Sequence, residues 1–319
     1  MSATATAERT TPAAPSTWML VACLAAVYII WGTTFFGIKV AIAGMPPVWL
    51  AGTRFTVAGA VLLGWQVLRR QPLPTPRQWL AAGLIGMLLL IGGNATVTVA
   101  ERWLSSGAAV ALISTMPLAA ALWSCLFGER PQRLEWGAIL LGALGAALML
   151  MGRDLQARTS GTAIVLFAVC CWSFGTVLSR HIDVPRGPSG FGAEMLVAGV
   201  FALAASVALG EHPRGIPGGS ALVAWLYLVL FGSIVAFSAF RYLVEHVSAP
   251  LATSYAYVNA PVGLIVGGWL GHERFSPQLL LGLPIVLGAV ALHAWVQTHP
   301  ASARLPQPAG ALVGAEELD

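Results

Sequence analysis

The chain has 319 residues, of which 57% are hydrophobic and only 9% charged, with a formal net charge of +4. A soluble domain usually carries about 25% charged residues, so this composition excludes a water-soluble globule and favours a lipid-facing surface. The sequence has no cluster of Lys and Arg, so it gives no indication of nucleic-acid binding. The four cysteines lie in apolar runs without CxxC spacing, so we interpret them as small buried side chains rather than metal or disulfide sites.

Ten apolar runs, each close to the roughly 20 residues that cross a bilayer, follow one another along the chain. Charged residues or Pro/Gly turns bound them, and the connections are short. The predicted spans are Trp18–Ile38, Pro47–Leu68, Gln78–Thr98, Ser105–Phe127, Leu134–Met151, Gly161–Leu178, Gly190–Leu209, Ala221–Phe240, Pro250–Gly271 and Gln278–Val296. Residues 1–17 and 298–319 are rich in Ala, Pro, Ser and Thr, and we predict that they are disordered tails.

The two halves of the chain resemble each other. Trp31 in the first span and Trp172 in the sixth are 141 positions apart (172 − 31), as are Lys39 and Arg180 at the ends of the same spans. "RFTVAG" in the second span aligns with "EMLVAG" in the seventh, and "GER" after the fourth span aligns with "HER" after the ninth. We therefore predict two five-span repeats, residues 18–151 and 160–297.

Because five is odd, the second repeat enters the membrane from the opposite side. Inverted repeats are the architecture of many secondary transporters, whose substrate sites lie near the bilayer midplane between the repeats. The loop between the second and third spans holds three arginines, Arg69, Arg70 and Arg77. Since cytoplasmic loops carry the excess of Lys and Arg, we predict that both termini are cytoplasmic.

Four stretches carry a resemblance to a known family. They are "YIIWGTTFFGIKVAI", "PPVWLAGTRFTVAGAVLL", "FGERPQRLEWGAILLGALGAALML" and "LATSYAYVNAPVGLIVGGWLGHERFSPQLLLG". From about Trp18 to Trp295 the chain resembles the EamA-type drug/metabolite transporters, and within them the YedA-like bacterial exporters. The resemblance implies an all-α integral inner-membrane protein of ten transmembrane helices that carries metabolites, amino acids or drugs. It also implies export driven by an ion gradient or by exchange.

Arg54 in the second predicted span and Glu194 in the seventh are the charged residues that lie clearly within a span. A charge at the centre of a transmembrane helix costs about 2.5–3.5 kcal/mol on insertion scales, so it normally faces a cavity or a partner. The pair either pins the two halves together as an ion pair or lines the translocation path. We favour the path, with Glu194 as the proton- or cation-coupling group.

Six uncharged residues are further candidates for lining the central cavity. Trp31 and Trp172 lie deep in equivalent spans, where they either form cavity walls for apolar or cationic substrates or pack helices. Thr34 either donates to substrate or bonds to its own helix. Asn94 is an amide in an apolar run and must face protein or water. Tyr255 and Asn259, four residues apart, share one helix face.

Glu129 and Glu273 end the fourth and ninth spans, and we predict that each caps the helix that follows it. No GxxxxGK[ST] phosphate loop, HExxH or GxSxG motif occurs, so neither ATP nor any other cofactor or metal is expected. The expected partners are a small-molecule substrate, the bilayer and protons, without nucleic acid, in a monomer or weak homodimer. An importer or channel on the same fold, and an intramembrane enzyme, remain as alternatives.

Overall fold

A computed structural model describes residues 16–298 apart from 130, 157–158, 186, 212–214, 216 and 247–254. In this part of the chain the regular structure is helical, and no strand occurs among the described residues. The predicted tails fall outside the described residues, apart from Ser16, Thr17 and Thr298 at their inner edges.

Nine helical segments of the described chain are long and apolar enough to cross a membrane. They are Thr17–Ile42, Pro47–Leu68, Pro76–Ala100, Ser106–Phe127, Arg133–Leu150, Thr159–Leu178, Pro188–Ala208, Gly219–Phe240 and Pro277–Val296. The ninth predicted span corresponds to the helix Tyr255–Trp269, which follows residues outside the description. The all-α fold of ten apolar spans is thus confirmed. Large apolar side chains such as Trp18, Leu80 and Trp269 remain exposed, as a lipid-facing surface requires.

Several spans begin with proline at their first helical position. The helices starting at Pro47, Pro76, Pro188 and Pro277 follow this rule. Proline suits that position because its missing N–H would have no partner inside the helix and its φ is already helical. Thr75 adds a capping box at the third span, since its hydroxyl accepts from the N–H of Gln78 and the Gln78 side chain accepts from the Thr75 N–H.

Three predicted spans are not continuous α-helices. The third and eighth contain π-helical segments, Met87–Ala95 and Leu228–Val235, whose starts are 141 positions apart (228 − 87). The fourth is divided into Ser106–Ile113 and Met116–Ser124, with Pro117 in the first turn of the second piece. Proline at that position removes a backbone donor and interrupts the helical ladder. Apolar run length alone does not encode these interruptions.

The packing of the spans follows the repeat. The second span packs against the seventh, and the fifth against the tenth. The first span contacts the eighth and ninth, while its equivalent, the sixth, contacts the third and fourth. Each of these contacts therefore has an equivalent contact in which the two repeats exchange roles.

Equivalent glycines allow the second and seventh spans to touch through their backbones. A Cβ added at Gly59 would lie 2.5 Å from the Leu196 nitrogen, and one added at Gly199 would lie 2.3 Å from the Thr56 nitrogen. These glycines end the aligned "RFTVAG" and "EMLVAG" segments. Small residues at such crossings are the usual device of membrane helix packing.

We expect Gly59→Ala to destabilise the protein by about 1–3 kcal/mol, because the new methyl group overlaps backbone atoms of the seventh span that cannot move aside. Gly64→Ala, five positions later in the same helix, is the matched control, since nothing lies within 4 Å of its Cβ position. Thermal unfolding of the purified variants measures both. Equal melting temperatures for the two variants would contradict the close crossing.

Candidate substrate cavity

Arg54 is a buried cation in the middle of the bundle. Its side chain is only 2% exposed. The guanidinium donates from Nε to the Ser233 hydroxyl at 2.8 Å and from Nη1 to the Asn94 side-chain oxygen at 3.4 Å. Both partners are neutral, so they orient the guanidinium without cancelling its charge.

The two π-helical segments bring these partners to Arg54 from opposite repeats. Asn94 lies in the segment of the third span and Ser233 in the segment of the eighth. A π-helical turn widens the backbone and is common at functional sites. In the second segment the Gly232 carbonyl accepts from the Trp31 indole nitrogen at 3.3 Å. A Cβ at Gly232 would lie 3.1 Å from Nη2 of Arg54, so glycine leaves the guanidinium its space.

Arg54 faces a central cavity whose empty space, including the part open to solvent, is about 610 Å³. The cavity brings together seven of the eight residues predicted from the sequence. These are Trp31, Thr34, Arg54, Asn94, Trp172, Tyr255 and Asn259. Both repeats contribute to the lining, as expected for a site between inverted repeats. What these residues bind stays a prediction.

Aromatic rings form one wall of the central cavity. The Trp31 ring meets Phe237 edge-on with centroids 5.1 Å apart, and Tyr255 edge-on at 4.9 Å. Such edge-to-face pairs stabilise one another and fix the ring planes. Trp31 therefore packs helices and lines the cavity at once, and the two interpretations of this residue do not exclude each other.

The polar side chains of the cavity are partly used within the protein. Thr34 donates to the Ile30 carbonyl of its own helix at 2.7 Å, so its hydroxyl proton is engaged. The Asn259 amide is best oriented with its nitrogen donating to the carbonyls of Tyr255 at 3.1 Å and Tyr28 at 3.3 Å. That orientation turns the Asn259 oxygen away from these carbonyls, so it remains an acceptor.

Glu194 is the predicted site residue that stands apart. It is 6% exposed on the seventh span, and its backbone packs against Gly86, where a Cβ would lie 2.6 Å from the Glu194 carbonyl oxygen. It is not among the described residues that line the central cavity, and the described hydrogen bonds of Arg54 do not include it. The repeat equivalence of Arg54 and Glu194 thus does not place them in one cavity.

A second, wider cavity continues from the first towards one end of the bundle. The two share Ile113, Met116, Trp172, Tyr255 and Asn259, and the wider one has about 1070 Å³ of empty space including its mouth. Its mouth is lined by two exposed charged side chains, Glu129 and Arg180. The path from Arg54 therefore opens at the end of the bundle that carries Arg180, which we call the Arg180 end.

The opposite end, which carries Lys39, is tied together by hydrogen bonds across spans. The Lys39 ammonium donates to the backbone carbonyls of Glu101 and Leu104, the latter at 2.8 Å. A lysine suits this position because the last carbonyls of a helix lack partners and carry partial negative charge. This contact joins the first span to the connection between the third and fourth.

Glu273 does not cap the helix that follows it, so that prediction is wrong. Its carboxylate accepts from the Ser106 N–H at 2.8 Å, the Ser106 hydroxyl at 2.9 Å and the Gly107 N–H at 3.0 Å. It therefore caps the fourth span, which belongs to the other repeat. Glu273 does cap the N-terminus of a helix, as a carboxylate prefers. Which helix it caps depends on how the two repeats pack together and not on which helix follows in the sequence. At the fifth span the cap comes from Gln132 and Glu135 rather than Glu129.

Glu101 carries a buried carboxyl group at the Lys39 end of the bundle. Its side chain is fully buried, and neither carboxylate oxygen has a hydrogen-bond partner among the described residues. Burial raises the pKa of Glu101 well above its usual value; Lys39 opposes this rise and Glu273 adds to it. A raised pKa means that the folded protein favours the protonated carboxyl.

Ionising Glu101 should weaken the fold, because a carboxylate without a hydrogen-bond donor among the described residues would then be buried at the Lys39 end. The stability that its protonation contributes is present at low pH and is lost as pH rises through the raised pKa. We expect Glu101→Gln, which keeps the shape without the charge, to be more stable than the wild type at alkaline pH by about 1–3 kcal/mol. The difference should vanish at acidic pH. Melting curves across pH that stay parallel for both proteins would contradict this expectation.

Ser233 is a neighbour of Arg54 that sequence reasoning missed. The sequence does carry a feature that could have indicated it: a serine follows glycine in the apolar run "LFGSIVAF", at nearly the repeat position of "IGGNATV" around Asn94. Ser233 was not predicted because a hydroxyl in a span usually bonds to its own helix. Ten apolar spans in two halves around a shared cavity with a buried cation are typical of a membrane transporter.

Comparisons with known proteins agree with this class. The model of the EamA-like transporter family matches residues 16–151 and 159–295. The inner membrane transporter YedA of Escherichia coli (strain K12) is 42% identical over 86% of this chain and 90% of its own length. The transporter YdfC of Bacillus subtilis (strain 168) is 27% identical over 81% of this chain and 86% of its own. The chain therefore belongs to the EamA-like family of drug/metabolite transporters and is similar to YedA.

More distant similarity extends the comparison. A WAT1-related chloroplast protein of Arabidopsis thaliana is 26% identical over 83% of this chain and 67% of its own. A crystal structure that covers 88% of this chain and 97% of its own has a TM-score of 0.64 at 20% identity. That likeness shows the shared fold.

Proposed function

We propose that the protein is a secondary active transporter of the bacterial inner membrane that exports small organic metabolites, amino-acid-like solutes or drugs by alternating access. One observation carries the proposal. The cavity between the repeats reaches from Arg54 to the Arg180 end, where Glu129 and Arg180 are exposed, while the Lys39 end is tied by hydrogen bonds. A carrier that works by alternating access opens its site to one side of the membrane at a time, and an exporter takes up its substrate on the cytoplasmic side.

The repeat supplies the second conformation. Lys39 is equivalent to Arg180, and Glu273 is equivalent to Glu129. At the closed end Lys39 and Glu273 bind backbone groups of the other spans, whereas at the open end Arg180 and Glu129 are exposed. Exchanging the roles of the repeats would close the Arg180 end and open the Lys39 end. Two arrangements related in this way have similar energies, which is what a reversible carrier needs.

The orientation proposed from the loop arginines puts the Arg180 end and both termini in the cytoplasm. The substrate then enters the cavity from the cytoplasm, consistent with export, and the name of YedA supports an inner-membrane location. Reporter fusions after Leu68 should read cytoplasmic and fusions near Gly44 periplasmic. The reverse pattern would invert the proposed direction of loading.

Glu194 is the proposed coupling group. It is a buried carboxylate in the seventh span, equivalent in the repeat to Arg54. Protonation would allow the empty carrier to reorient, and loss of the proton would favour the other state. Because the group lies outside the central cavity lining, coupling would act through the packing of the seventh span on the second rather than through contact with substrate.

Flux in proteoliposomes tests the export proposal, using a panel of radiolabelled amino acids and small organic metabolites with imposed pH gradients of each sign. Proton antiport predicts that transported compounds accumulate in vesicles with an acidic lumen, because protons leave as substrate enters. Glu194→Gln should abolish this accumulation and retain substrate exchange without a gradient. The charge-removing change Asp183→Asn, at an exposed loop position, is the matched control and should behave as the wild type.

Several results would contradict the proposal. Accumulation with an alkaline lumen indicates symport and hence import. Equilibration without any response to either gradient indicates a facilitator. Gradient-driven accumulation by Glu194→Gln at the wild-type rate would remove Glu194 from the coupling mechanism while leaving transport itself in place.

A further inference from the structure

Among the described residues, no ion pair balances the charge of Arg54. Its described hydrogen bonds go to a hydroxyl and a neutral amide, and no carboxylate among the described residues forms an ion pair with it. A buried cation without a counter-charge is costly in a membrane span. Such a group is retained where something else supplies the negative charge.

The cavity leaves room for that negative charge beside Arg54. Nη2 makes no described hydrogen bond, and Gly232 keeps the space next to it free of a side chain. The planar fork of a guanidinium binds a carboxylate through two parallel hydrogen bonds. Arg54 is also the one charged side chain among the described residues that line the central cavity.

The rest of the central cavity is mostly apolar. Apart from Arg54 and the polar residues Thr34, Asn94, Tyr255 and Asn259, its lining consists of the rings of Trp31, Phe35, Trp172 and Phe237 and of other apolar residues. One guanidinium balances one negative charge, which fits a carboxylate better than a phosphate monoester with its charge of nearly two. An ammonium group at this depth would meet Arg54 with no opposing carboxylate from the described lining.

We propose that the substrate is an amphipathic organic monocarboxylate, bound with its carboxylate on Arg54 and its apolar part against Trp31, Trp172 and Phe237. This proposal rests on the proposed transport function and names the substrate class of the same cavity. It narrows the class to anions with an apolar body and excludes amphipathic amines that lack a carboxylate.

Binding to the purified protein tests the class with compounds of one shape and three charges: 3-phenylpropionate, 3-phenylpropionamide and 3-phenylpropylamine. Each is added at millimolar concentration while thermal unfolding is followed. We expect the carboxylate to raise the melting temperature and the amide and amine to have no comparable effect. Because the amide is the more apolar of the first two, nonspecific partitioning would favour it. Equal stabilisation by all three, or none by the carboxylate, would overturn the proposal.

Two variants assign the effect to Arg54. Arg54→Gln should weaken carboxylate binding at least tenfold. Asn94→Asp changes only an amide to a carboxylate at a position whose side-chain oxygen lies 3.4 Å from Nη1 of Arg54. It should also weaken carboxylate binding at least tenfold, because the new carboxylate neutralises the charge of the guanidinium. Its control is Gln71→Glu, the same chemical change on an exposed loop, which should bind as the wild type. Undiminished carboxylate binding by a folded Asn94→Asp protein would overturn the proposal even if Arg54→Gln fails to fold.

The failure of this inference differs from the failure of the proposed export. Carboxylate binding that depends on Arg54, without flux in proteoliposomes, would contradict export and leave the anion site in place. Gradient-driven flux of 3-phenylpropylamine, but not of 3-phenylpropionate, would leave transport in place and overturn the anion site.

Discussion

The burial of one guanidinium constrains much of the architecture. Arg54 lies at membrane depth, where a cation requires a polar environment, and the chain provides it from both repeats at once. Asn94 and Ser233 reach Arg54 because equivalent π-helical segments interrupt the third and eighth spans. Close crossings at Gly59 and Gly199 hold the second span in place against the seventh. Because both partners are neutral, they leave a positive site in a cavity that is otherwise uncharged and mostly apolar.

The two ends of the bundle differ although the repeats are equivalent. Lys39 and Glu273 satisfy helix termini of other spans, and these hydrogen bonds join the spans at one end. Arg180 and Glu129 are exposed at the mouth of the cavity. Equivalent basic and acidic residues therefore cap helices at the Lys39 end and are exposed at the Arg180 end. A carrier that alternates between two such arrangements needs a closed end whose contacts are polar and reversible, and hydrogen bonds to helix termini meet that need.

Much of this was predictable from the sequence because hydropathy and repeat alignment are strong signals in membrane proteins. The ten apolar spans follow from run length, and Trp31, Trp172 and Arg54 were placed at the cavity by their depth and repeat position. The π-helical segments were not predictable, because an i to i+5 ladder leaves no hydrophobic period. The partner of Glu273 and the place of Glu194 depend on how helices rotate and cross, which is decided by tertiary packing. Ser233 was overlooked because a serine in a span normally serves its own helix.

The most direct test of the central claim is to locate a bound carboxylate in crystals. Crystals soaked with 3-(4-bromophenyl)propionate, measured at the bromine absorption edge, would give the position of the bromine atom by anomalous scattering. The account predicts a bromine peak among the rings of Trp31, Trp172 and Phe237, with the carboxylate on the guanidinium of Arg54. An Arg54 paired with a carboxylate of the chain itself, with no bromine peak in the central cavity, would contradict it.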